Sequence, residues 1–156
     1  MRHARGSRGL GLMDIVMAVA IGAIAVVLAM TTLTSRPLNL AGDRQDFALN
    51  LRVTREWALD RNLHYRLRVL SGTPYQYVIE QGQLIGMSWW SSPTVVRTVT
   101  LRQNVAFPAG TQGLAAEFDT RGGFVGTPPL TFTLQDVARG WTKTVTVNAA
   151  GMVDQP

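Results

Sequence analysis

Gly9-Leu10-Gly11-Leu12-Met13-Asp14-Ile15-Val16, continuing as MAVAIGAIAVVLAM to Met30, is the stretch on which the reading of the whole chain turns. From Ile15 to Met30 no polar side chain occurs, and the residues ahead of Leu10 (MRHARGSRG) are basic and free of acids. A helix over Leu10 to Leu33 would be about 36 Å long, enough for a hydrocarbon core of about 30 Å. Arg2, Arg5 and Arg8 on the short side predict a cytoplasmic start with the remainder delivered outward. A cleaved secretory signal has the same basic start but a shorter apolar centre and a small-x-small site after it, to which residues 30–35 (MTTLTS) are a poor match. A plain membrane anchor fits length and flanks, and leaves Asp14 unexplained. An ionised aspartate in a spanning helix costs about 2.5–3.5 kcal/mol on insertion scales, so it needs a partner. Cutting after Gly9 would create an amine at Leu10 able to reach the Asp14 of an adjacent, axially staggered copy.

Working outward, 156 residues amount to one domain, or one domain with an appendage. The net charge of +5 is concentrated at the start: without Arg2, Arg5 and Arg8, twelve bases face ten acids. Zero cysteines exclude a disulfide framework, a thiolate metal site and a cysteine nucleophile.

Beyond the apolar run, Pro37 is expected to bend or locally open the helix. A helical pattern resumes from Gly42 to Asn62, where Phe47, Leu51, Thr54 and Ala58 recur on one face, predicted to pack on a sheet. The period then changes to two: Leu63, Tyr65, Leu67 and Val69 share one face of a strand, His64, Arg66 and Arg68 the other. Further strands are predicted over Tyr75–Glu80, Leu84–Trp90, Thr94–Arg102, Leu114–Asp119, Leu130–Gln135 and Trp141–Asn148, divided by Pro- or Gly-containing turns. No internal repeat or long low-complexity linker interrupts them.

These residues resemble known sequences at two places. Basic leader, Gly9, Leu10, Asp14 and apolar run look like the class III signal of type IV pilins and type II secretion pseudopilins. The residues TREWALDRN (54–62), with Phe118-Asp119-Thr120-Arg121-Gly122-Gly123, Leu130 to Gln135, Val145-Thr146-Val147 and Gly151-Met152-Val153, resemble the GspH/FimT-type minor pseudopilins. The resemblance implies cleavage by a prepilin peptidase between Gly9 and Leu10, N-methylation of Leu10, and assembly through Asp14, the fifth mature residue. It departs from the family's usual phenylalanine at Leu10, threonine at Gly11 and glutamate at Asp14. The fold implied is pilin-like and α+β: a long N-terminal transmembrane α-helix packed on an antiparallel β-sheet or sandwich. The chain then divides into a leader (1–9), a membrane and filament-core helix (10–35), its amphipathic continuation (36–62) and a β domain (63–156). The implied setting is the bacterial inner membrane, with the β domain periplasmic. The implied partners are the peptidase, other pilin or pseudopilin subunits and inner-membrane lipid.

No enzyme motif occurs, and no cofactor or metal site is expected: HExxH, GxSxG and P-loop patterns are missing. His3 falls in the leader, and His64 reads as an exposed strand residue rather than a general base. Glu117 and Asp119, an i, i+2 pair, read as a solvated face. The alternative function is a DNA-binding minor pilin of a competence pilus. Arg61, His64, Arg66 and Arg68 would form a basic stripe for phosphates, with Arg97, Arg102, Arg121, Arg139 and Lys143 adding cations. The opposing reading is that these cations balance nearby acids. A third function is a membrane-tethered binding domain that never polymerises. Of Trp89-Trp90, one side chain is expected in the core and the other exposed. Gly122, Gly123 and Gly126 read as turn residues.

Overall fold

The computed structural model describes residues 11–82, 90 and 92–155. Helix α1 runs over Leu12–Arg61, with helical geometry continuing through Pro37. The chain divides into two compact units, Met1–Ser35 and Arg36–Pro156.

In the first unit the described side chains of α1 are apolar and exposed: Met13, Val16, Met17, Val19, Ile21, Ile24 and Val26 are each more than half accessible. Gly9 and Leu10 lie outside the described residues. Asp14 is helical, and its side chain lies outside the description, as do those of Leu12, Ile15, Ala25 and residues 27–38. Among the described residues, no helix is long and apolar enough to cross a membrane.

Among the described residues the second unit holds the C-terminal half of α1 and nine strands: β1 Tyr65–Val69, β2 Gln76–Gln81, β3 Thr94–Thr100, β4 Val105–Ala106, β5 Ala115–Phe118, β6 Phe124–Val125, β7 Leu130–Asp136, β8 Thr142–Val147 and β9 Val153–Asp154. They form two sheets, ordered β3-β2-β1-β5-β6 and β4-β7-β8-β9, with every pairing antiparallel. Asn62, at φ 54°, ends the helix in the left-handed region that asparagine tolerates, and β1 follows within three residues.

The predicted stripe on α1 is the buried one. Phe47, Leu51, Thr54 and Ala58 are fully buried, because residues three and four apart share a helix face. Phe47 is the hub: its ring lies 5.0 Å from that of Tyr77 on β2, 5.1 Å from Phe132 on β7 and 5.6 Å from Phe107. One side chain on the helix thus packs against residues of both sheets. On β1, Tyr65, Leu67 and Val69 are buried and Arg66 and Arg68 are half-buried, as the alternation requires.

The predicted strand over Leu84–Trp90 falls on residues 83–89, outside the description; Trp90 belongs to no strand. The other predicted strands are present with ends shifted by one or two residues. Strands β4 and β6 were not anticipated, since two residues carry no readable period.

Candidate functional site

Polar contacts fall into three groups, two of which tie α1 to the sheets. Along α1, Asp43 Oδ2 accepts from the backbone N–H of Arg102 (2.9 Å), whose guanidinium also pairs with Asp43 and Asp46. Burial raises the pKa of Asp43 despite that donor and charge. One turn on, Asn50 donates to the Tyr77 hydroxyl (2.8 Å) and accepts from Arg97 Nη1 (3.0 Å). Burial pushes the Tyr77 phenol up to about 12. Further along, Arg52 Nη2 donates to the carbonyl of Val153 and Arg55 Nε to that of Gly122 (2.9 Å), so α1 is tied to the β5–β6 turn and to β9.

Glycine is required where that tie is made. Gly122 and Gly151 have φ of 72° and 73°, and a Cβ on Gly151 would run into the Gly122 carbonyl that accepts from Arg55. Gly122 and Gly126 occupy turns, as expected, and Asp119 caps its turn by accepting from the N–H of Arg121 and Gly123. Asp119 is therefore spent on the backbone rather than on a carboxylate pair with Glu117.

The second group is the junction of α1 with β1. Arg61 lies over the rings of Trp57 (5.5 Å) and Tyr65 (5.9 Å) and donates to the Tyr65 hydroxyl (2.9 Å), which donates on to Gln81 Oε1.

The third group lies on the face of the first sheet turned away from the core. The register sets Arg66 between Glu80 on β2 and Glu117 on β5. Arg66 Nε and Arg68 Nη2 both donate to the Glu80 carboxylate, the latter at 2.6 Å. Glu80 is only 1% exposed. Burial alone would raise its pKa, but the hydrogen bonds from Arg68 and Arg66, with their charges, hold it below the usual carboxylate range; the same bond raises the pKa of Arg68. Glu117 pairs with His64 Nδ1 (2.7 Å) and accepts from Trp90 Nε1 (2.7 Å), while the Arg66 guanidinium stacks over the Trp90 ring at 4.1 Å.

The structure thus brings His64, Arg66 and Arg68 together on the outer face, whereas Arg61 is engaged with Trp57 and Tyr65 at the helix end. What the sequence reading did not supply is their company: Glu80 takes both Arg66 and Arg68, and Glu117 takes His64. Trp90 is neither core nor free interface anchor but the lid of this network; Trp89 lies outside the described residues. Arg97 stands opposite Ile79 of β2, on the side of the sheet that Tyr77 and Ile79 turn to the core, and from there its guanidinium reaches Asn50. Among the described residues no group of three His, Cys, Asp or Glu side chains could hold a metal ion.

With this geometry the chain is similar to solved structures of two minor subunits. The type IV minor pilin FimU of Pseudomonas aeruginosa is 15% identical at a TM-score of 0.60, the match covering 80% of this chain and 92% of that one. A second crystal form of FimU gives 14% and 0.55, over 75% and 92%. The minor pseudopilin EpsH from the Type 2 Secretion System of Vibrio cholerae is 15% identical at 0.55, covering 76% of this chain and 96% of that one. The shared feature is the pilin-like fold, an N-terminal helix with antiparallel sheets. No family model and no curated protein matches the sequence.

Proposed function

We propose that this chain is a minor pilin or pseudopilin: a non-enzymatic subunit held in the bacterial inner membrane by Leu10–Leu33, cut after Gly9 by a prepilin peptidase, methylated at Leu10, and assembled with other pilin-like subunits through its helix. The observation that carries the reading is the likeness to FimU over nearly all of that chain, in a sequence whose own start has leader, glycine, acid and apolar run in order. Among the described residues, the apolar side chains of Met13, Val16, Met17, Val19, Ile21, Ile24 and Val26 are exposed, as expected of a segment that meets lipid or neighbouring helices. Within a filament the same segment packs on copies, and Asp14 meets the liberated amine of the adjacent Leu10, which removes the cost of an isolated carboxylate. The globular unit, with its helix half pinned across both sheets, supplies the outward surface.

The DNA-uptake alternative gains no support from the stripe, because Glu80 and Glu117 offset the charge a phosphate would need to find.

Assembly is tested with single cysteines introduced in the apolar half of α1, against a native background that has none. Oxidation in cells expressing the complete machine is expected to give adducts with other pilin-like subunits. Monomer alone at every position tried, with the protein membrane-bound, would favour the tethered domain that never polymerises.

A further inference from the structure

Where α1 meets β9 and the β5–β6 turn, two arginines hold backbone carbonyls and no acid. Arg52 and Arg55, three residues apart and so on one side of the helix, line a cleft of about 310 Å³ with Glu56, Gly151, Met152 and Val153. Among the described residues each guanidinium makes one hydrogen bond, Arg52 Nη2 to the Val153 carbonyl and Arg55 Nε to the Gly122 carbonyl. A guanidinium has five N–H groups, so four on each have no acceptor among those residues. No described carboxylate pairs with either; Arg66, Arg68 and Arg102, by contrast, each hold one. Glu56 is exposed and makes no hydrogen bond or ion pair among the described residues, although it stands one turn from Arg52.

The cleft is built before anything enters it. The two carbonyl bonds hold the arginine side chains in place, so their ordering is not charged to binding. Gly151 keeps the wall open, since a Cβ there would lie 3.1 Å from Arg55 Nε. We propose that this cleft takes a carboxylate side chain, Asp or Glu, from a neighbouring pilin-like subunit. Two guanidinium forks against the single charge of Glu56 leave one positive charge unmatched, which one carboxylate neutralises. Glu56 also selects against a phosphate chain, whose repeated charge it repels. Met152, 57% exposed, gives the stem of the entering side chain an adaptable apolar contact. The contact supplies partner choice, because a neighbour presenting a base at that place is refused. It rests on the subunit reading above.

The test uses the full chain in cells expressing the complete machine, with a diazirine-bearing aliphatic amino acid in place of Met152. Irradiation is expected to give an adduct with another pilin-like subunit, its linked peptide containing Asp or Glu. R52Q and R55Q should each lower the yield about five-fold, and E56Q, by removing the competing acid, should raise it about two-fold. Because Glu56 is exposed and holds nothing among the described residues, E56Q reads charge alone and keeps the test decisive where an arginine variant misfolds. A yield that E56Q does not raise, a linked peptide without an acid, an adduct with nucleic acid, or no adduct in cells where the α1 cysteines still give theirs would overturn the cleft and leave the assembly reading standing. Loss of both kinds of adduct would overturn both.

Discussion

Replacing Glu80 by glutamine removes one negative charge from between two guanidinium groups and leaves the shape of the site nearly unchanged. Glu80 is 1% exposed and accepts from Arg66 Nε, Arg68 Nη2 at 2.6 Å and Arg68 Nε at 3.2 Å. A hydrogen bond to a charged group contributes about 1.5–3 kcal/mol. The Arg66 side chain is 19% exposed and takes the full value, whereas Arg68 is 37% exposed, so solvent screening reduces its share to about 1 kcal/mol. E80Q should therefore lower unfolding free energy by about 3 kcal/mol near neutral pH, and R68Q by about 1. Urea unfolding of the detergent-solubilised chain, followed by tryptophan emission, measures both. The pH dependence supplies a second arm. The folded pKa of Glu80 lies below its unfolded value, so its contribution is complete above the reference value of 4.5 and is lost as pH falls through the folded pKa. The gap between wild type and E80Q should close over that acid window. Asp43 has the opposite sign, since its raised pKa favours folding as pH falls, but it is present in both proteins and cancels. A cost for E80Q below about 1 kcal/mol, the range of an exposed pair, would refute the claim that this buried carboxylate organises the outer face.

Phe47→Ala should cost about 4 kcal/mol, because the ring is fully buried against aromatics of both sheets; the same urea titration reads it, and a loss typical of a surface site would displace Phe47 from the hub. Gly151→Ala should cost more than Gly140→Ala. Both have φ near 70° and share a penalty of about 1–2 kcal/mol, but a methyl at Gly140 meets open space while at Gly151 it strikes the carbonyl that holds Arg55. Thermal melts showing equal losses would remove the clash from the account. Tyr77 should ionise only near pH 12, and since its folded pKa is raised, folding stability should fall as pH rises from 10.0 toward that value; a Y77F chain lacking this alkaline loss, with a shallower tyrosinate absorbance titration near pH 12, is the expected result.

Legibility in the sequence followed the range of the interaction. The stripe Phe47, Leu51, Thr54, Ala58 and the alternation through Tyr65, Leu67 and Val69 are local periods, and both were readable because one element decides its own buried face. Arg66 and Arg68 could be placed on the outer face, but not their counterions. Glu80 and Glu117 reach them only through the register of β1 with β2 and β5, which turn geometry and core packing set together. Alternation along β3 puts Arg97 on the same face as Val99, but its partner Asn50 stands on α1 and is set by how the helix packs on the sheet. Gly151 was visible only within a family resemblance; its need for glycine comes from a carbonyl 29 residues earlier, in another turn.

The mass of the chain extracted from membranes of cells that carry a prepilin peptidase bears most directly on the central claim. A pilin-like subunit should lack residues 1–9, begin at Leu10 and carry one added methyl group there. A species recovered freely dissolved in periplasmic fluid and beginning near Ser35 would contradict it.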